Sequence, residues 1–109
     1  VPDAPVWLAP EAKTEWRKVA AILVERGVLT SADLGTLASY CSAVGQLVVA
    51  ERAIRRDGMI VGGKRHPLLT TSTAARNQIR QLAGELGLTP VSRSRPAIRD
   101  DDDADSLLD

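Results

Sequence analysis

From Leu34 to Ala50 the chain runs seventeen residues without a charged side chain, although charged residues make up 26% of the whole. Interrupted by Ser39, Ser42 and Gln46, the stretch falls short of the ~20 apolar residues that a membrane span needs. It reads instead as a helix buried on several sides. Thr30 and Asp33 resemble a capping box with Asp in place of Glu, and Gly58 supplies a stop after Asp57. A helix over 30–57 would be a rod of roughly 40 Å at ~1.5 Å per residue. Leu34, Leu37, Cys41, Val44 and Val48 form one stripe along it. Gly35, Ala38, Ser42, Gly45 and Val49 form a neighbouring stripe of mostly small residues. Glycine inside a helix costs about 0.5–1 kcal/mol relative to Ala, so two of them predict close approach by another backbone. Two short companion helices cannot cover every side of such a rod. Further copies of the same chain are the simplest cover, with the small-residue stripe as the expected contact.

The companions are also legible. Pro10 suits a first helical position and Glu11 suits the positive end of the dipole. Ala12, Trp16, Val19, Ala20 and Leu23 then share one face up to Arg26, before the stop at Gly27. A third helix begins near Pro67, places Leu68, Ser72, Ala75, Ile79, Leu82 and Leu86 together, and ends at Gly87, with Pro90 preventing resumption. Between the second and third helices, Met59-Ile60-Val61, Gly62-Gly63 and Lys64-Arg65 form either a small β-hairpin or a plain loop. The expectation is an all-α, three-helix core with one long central helix, assembling as a ring-forming oligomer. Residues 1–9 are an extended arm, 10–90 the recognition and oligomerisation domain, and 91–109 a disordered basic-then-acidic tail. At 109 residues there is room for one domain only. Phenylalanine is absent, so Leu, Val, Ile and Ala must fill the interior. Cys41 is the one cysteine, which rules out an intrachain disulfide and suits an intracellular setting. Val1 to Pro5 lack the basic start and apolar run of a signal peptide. The first residue is Val rather than Met, so the natural N-terminus is expected to have been trimmed.

The zero net charge hides a division. Residues 1–99 carry 14 Lys/Arg against 8 Asp/Glu, and residues 100–109 carry six Asp and no base. Such asymmetry points to a polyanionic partner, or to a solvated surface with a solubilising tail. Catalytic chemistry is not expected. His66, the one histidine, precedes a proline without an evident nucleophile, and Cys41 lies mid-helix where a thiol is inert. Gly62-Gly63-Lys64 lacks the first glycine and the terminal Ser/Thr of a phosphate loop. Asp100 to Asp103 lack the glycine turn and closing Glu of a calcium loop, so neither metal nor cofactor is expected.

Positive charge is the remaining signal. Arg52, Arg55 and Arg56 end the second helix, and Lys64, Arg65 and His66 follow. Arg76 and Arg80 share a face of the third helix, and Arg93, Arg95 and Arg99 lie in the tail. Lys64, Arg65, Arg76, Arg80, Arg93 and Arg95 are the candidate DNA contacts, on charge alone. The corner at Gly27-Val28-Leu29 has the short turn of a helix-turn-helix. Yet Thr30 to Thr36 offers no Arg or Lys to read bases or hold a backbone, so a structural corner is the better reading.

Pro5-Val6-Trp7-Leu8, then Ala12 and Trp16, then Gly27-Val28-Leu29-Thr30 with Asp33, resemble a branch of the phage terminase small subunits. Tyr40-Cys41, His66-Pro67-Leu68, and Glu85-Leu86-Gly87-Leu88-Thr89-Pro90 with Ser92-Arg93 extend the resemblance from Pro5 to Arg95. The basic, glycine-containing stretch that usually precedes the Pro-Trp-Leu region in that family is absent. The resemblance implies a non-enzymatic ring subunit acting in the host cell cytoplasm. It would recognise double-stranded viral DNA and recruit the large terminase subunit, whose ATPase and nuclease do the chemistry. Leu107 and Leu108, apolar amid aspartates, are the expected docking pair for that partner. Two rival readings are a helical transcriptional regulator and a structural oligomeric adaptor that does not bind DNA.

Overall fold

The computed structural model describes residues 1–88. Three helices form: α1 over Pro10–Glu25, α2 over Leu34–Asp57 and α3 over Leu68–Glu85. Strands β1 (Ile60–Val61) and β2 (Lys64–Arg65) pair antiparallel between α2 and α3.

The glycine stops act through backbone hydrogen bonds. Gly27 has φ +69°, and after it Val28 N–H reaches back to the Leu23 carbonyl while Gly27 N–H meets that of Val24. Gly87, at φ +73°, closes α3 the same way, with Leu88 N–H on Ala83 and its own N–H on Gly84. This double closure satisfies carbonyls that the last helical turn leaves open. The entry to α2 is tighter than a plain α-helical start. Ser31–Asp33 make a 3₁₀ turn, and the Asp33 carboxylate accepts from the Thr30 N–H at 3.0 Å and its hydroxyl at 2.9 Å.

Both outer helices run antiparallel to α2. Ala12 lies against Gly45 and Glu15 against Tyr40, whose hydroxyl donates to the Glu15 carboxylate at 3.0 Å. Burial and then that carboxylate push the Tyr40 phenol well above its ordinary range, so it remains a donor. At the other end of α2, Glu51 meets Ser72 and Arg76 of α3. The main core gathers Ala12, Trp16, Val19, Ala20 and Leu23 of α1 with Leu37, Ala38 and Cys41 of α2, closed by Leu86 and by Leu8 of the arm. The arm is therefore anchored rather than free-standing. The Trp16 indole N–H donates to the Pro2 carbonyl at 2.9 Å, and Leu8 is buried.

At Gly45 a close approach comes from within the chain. A Cβ built there would stand 3.0 Å from the Ala12 nitrogen and 3.2 Å from its Cβ, so the approaching backbone is α1 of the same chain. Ala38 is likewise buried in the chain's own core. Both are buried within the chain's own fold, beside α1. Gly35 and Val49 of the same stripe are exposed, and Ser42 is half-buried. Burial follows two partners on different sides of α2, which is why neither predicted stripe is uniformly covered.

Candidate nucleic-acid interface

Arg52, Arg55, Arg56, Lys64 and Arg65 lie in the last turns of α2 and the hairpin that follows it. Gly58, at φ +85°, donates its N–H to the Ile54 carbonyl and turns the chain out of the helix. Gly62 and Gly63 then take φ +59° and +79°, the two successive left-handed residues of a primed hairpin turn. The register pairs Ile60 with Arg65 and Val61 with Lys64. Directly paired residues share a face, so Ile60 and Arg65 lie on one side of the ribbon and Val61 and Lys64 on the other. All four are exposed.

His66 fixes this ribbon to the helices. Its N–H bonds the Met59 carbonyl at 2.7 Å, closing the base of the hairpin. Its buried ring accepts the Leu68 N–H at Nδ1, 3.0 Å away, so Nε2 carries the proton and donates to Asp57 at 3.0 Å. Hydrogen bonds from Arg56 first and His66 second hold the Asp57 carboxyl well below the usual carboxylate range. With both ring nitrogens engaged, His66 is a structural link between α2 and α3 and leaves no lone pair for a general base. The other potential nucleophile is equally quiet. Cys41 is fully buried, and burial, then Glu15, pushes its thiol up to about 12. Among the described residues no group of three or more His, Cys, Asp or Glu could hold a metal ion.

The cations divide by their partners. Arg76 donates to Glu51 at 2.6 Å, and the Ser72 hydroxyl donates to the same oxygen at 2.6 Å. These bonds, Ser72 first, hold Glu51 below its ordinary range, so Arg76 faces a charged carboxylate. Arg52 reaches Glu11 at 3.4 Å and Arg56 reaches Asp57 at 2.8 Å. Arg55, Lys64, Arg65 and Arg80 have no acidic partner among the described residues. Of the expected contacts, Lys64, Arg65 and Arg80 thus stand exposed and unpaired, and Arg76 is partly neutralised. Arg80 lies one turn beyond Arg76, roughly 18 Å along α3 from Leu68 at ~1.5 Å per residue. The cations therefore do not form one patch. Arg93, Arg95, Leu107 and Leu108 lie outside the described residues.

Three features went unread in the sequence. The Asp57–His66 link was hidden because its partners stand on either side of the hairpin, and only the Gly-Gly register could have aligned them. The Glu51–Arg76 pair depends on how α3 slides along α2, which no local pattern encodes. Nor does local pattern show that Arg55, unlike Arg52 and Arg56, lacks an acidic partner among the described residues.

The corner at Thr30 offers little to a nucleic acid. The Thr30 hydroxyl and N–H are both spent on Asp33, whose carboxylate faces the start of α2. No helix among the described residues is long and apolar enough to cross a membrane. Compared with known families, residues 12–103 match the model described as phage terminase, small subunit. Neither curated proteins nor solved structures gave a match.

Proposed function

Because the chain belongs to the phage terminase small-subunit family, with a role in phage DNA packaging, we propose that it is the DNA-recognising, non-catalytic subunit of that machinery. In this reading it holds the phosphate backbone of duplex viral DNA through Arg55, Lys64 and Arg80, with Arg65 on the opposite face of the ribbon. It works as a ring of copies in the host cytoplasm and recruits and regulates the large subunit, which supplies ATPase and nuclease activity. The observation that carries the reading is a set of cations without an acidic partner among the described residues: Lys64 and Arg65 on a hairpin that His66 ties to α2 and α3, Arg55 on α2 and Arg80 on α3. A fixed ribbon presents its charges without a large ordering cost at each encounter. Repetition around an assembly multiplies weak individual contacts. The acidic segment 100–109, with Leu107 and Leu108, is the segment proposed to dock on the large subunit.

Titration of the protein with duplex DNA at several salt concentrations tests the reading. Phosphate contacts release counterions, so affinity should fall linearly on logarithmic axes, with a slope of about −0.9 for each phosphate neutralised. Affinity that does not change with salt, or no measurable binding at low salt, would overturn it. Deleting residues 100–109 should weaken capture of the large subunit while leaving the helical content intact. Unchanged capture would remove the tail from the recruiting role.

A further inference from the structure

We infer that the Ile60–Arg65 face of the hairpin reads base edges in the major groove of duplex DNA, while Lys64 on the other face holds a phosphate. The inference deepens the proposed DNA binding and rests on it. Phosphate contacts need positive charge alone, and charge does not account for what stands beside Arg65. Its cross-strand partner is Ile60, an aliphatic side chain left 62% exposed on a ribbon whose base His66 closes. Arg65 itself has no acidic partner among the described residues. One face of a fixed protrusion thus offers a guanidinium and an aliphatic group side by side, with ~4.5–5.5 Å between the Cβ atoms of such a pair.

A duplex presents the complementary pair of groups in its major groove. Guanine offers two acceptors there, O6 and N7, which a guanidinium engages together, and thymine offers a methyl group to an apolar side chain. Successive bases lie ~3.4 Å apart along a strand, so a side-chain pair at this spacing spans one to two base steps. Chemistry also selects between the two faces. The planar fork of Arg65 matches two acceptors at once, whereas Lys64 is a point charge on a flexible stem and suits a phosphate. Val61, which shares the Lys64 face, is the less exposed aliphatic residue at 44%.

Shape selects the groove. Two strands lie ~4.8 Å apart and with their edge atoms need roughly 10 Å of width. The major groove, ~12 Å wide, admits such a ribbon, and the minor groove, ~6 Å wide, does not. Stacked sheets sit ~10 Å apart, so side chains hold a ribbon roughly 5 Å above the surface it rests on. In a groove ~8.5 Å deep the outer face of the ribbon then lies near the mouth, level with the flanking phosphates. That is where Lys64 would be. The turn at Gly62-Gly63 adds no side chain to prop the tip away from the groove floor.

Selection of sites from a randomised duplex library, followed by titration, tests the inference on the full chain. The parent should enrich a site with guanine within about two base pairs of thymine. At that guanine, 7-deazaguanine removes N7 and should weaken binding by about 5-fold or more. Uracil in place of the thymine removes only the methyl group and should weaken binding by a smaller factor. Arg65→Ala should abolish the guanine penalty and Ile60→Ala the thymine penalty, with helical signal and assembly mass unchanged. Val61→Ala should keep both penalties. Salt-dependent binding that enriches no sequence, or analogue penalties that are absent from the parent or survive both substitutions, would overturn base reading and leave phosphate binding standing. An Ile60→Ala variant that lowers the assembly mass and keeps the thymine penalty would overturn it too, by giving that face to a protein contact. No binding to the library at low salt would overturn the DNA-binding function itself.

Discussion

Gly45 shows how one missing side chain sets the spacing of two helices. With a Cβ it would press on the Ala12 backbone at 3.0 Å, a contact that a flexible neighbour could relieve but a helix backbone cannot easily yield. Gly45→Leu should therefore cost about 1–3 kcal/mol by overpacking. In a domain of this size that is a fall in Tm of roughly 4–8 °C per kcal/mol. Gly45→Ala should cost less, since the gain in helix propensity offsets part of the strain. A melting curve for Gly45→Leu that overlays the parent's would refute the close approach. Asp57 governs a different balance, between folding and protons. Its folded carboxyl titrates below its unfolded value, so its contribution is present above about pH 3.9 and is lost as pH falls through the lower folded value. Asp57→Asn should then be less stable than the parent at pH 7, with the gap narrowing below about pH 4. Denaturant unfolding at pH 7 and pH 3 measures this, and a constant gap would show that the ionised form is not what stabilises the hairpin junction.

The elements were the most legible part of the molecule. Pro10, Gly27, Gly58 and Gly87 mark helix ends by local chemistry, and local chemistry needs no knowledge of tertiary partners. The hairpin stood undecided against a loop because only two residues pair on each strand, too few for a period to register. What sequence could not assign was ownership of a surface. A small residue such as Gly45 announces that something comes close, but whether α1 or another copy does so depends on packing. The pairing of charges depends on packing for the same reason. Arg76 and Arg80 look equivalent at i, i+4, yet the α2–α3 register gives Glu51 to Arg76 alone. The hairpin itself offers a test that changes no charge. Alanine at both Gly62 and Gly63 forces side chains into left-handed backbone, at about 1–2 kcal/mol each. That variant should melt lower and bind DNA less tightly, whereas Gly62→Asn alone, which gives the favoured Asn-Gly turn, should retain both properties. If the double-alanine variant binds DNA like the parent, rigid presentation of Lys64 is not required.

At the scale of the whole molecule, the described residues form a helical frame whose candidate interface consists of charge and shape. Leu8 and the Trp16–Pro2 bond fold the arm onto α1, and the ends of α1 and α3 converge where Arg26 reaches the Gly87 carbonyl. That arrangement leaves the far end, where α2 stops, to the hairpin, whose Lys64 and Arg65 have no acidic partner among the described residues. The body's basic excess and the six aspartates after residue 99 cancel in the net charge, so the sum says nothing about where a polyanion would sit. The location claim rests on Lys64 at that end and on Arg80 farther along α3. The salt dependence of duplex DNA binding, compared between the parent and the Lys64→Gln/Arg80→Gln variant, tests it most directly. Removing two phosphate contacts should make the slope of log affinity against log salt shallower by about 2 per subunit engaged, with helical content and assembly mass unchanged. Identical slopes would contradict the account and place the DNA on another surface.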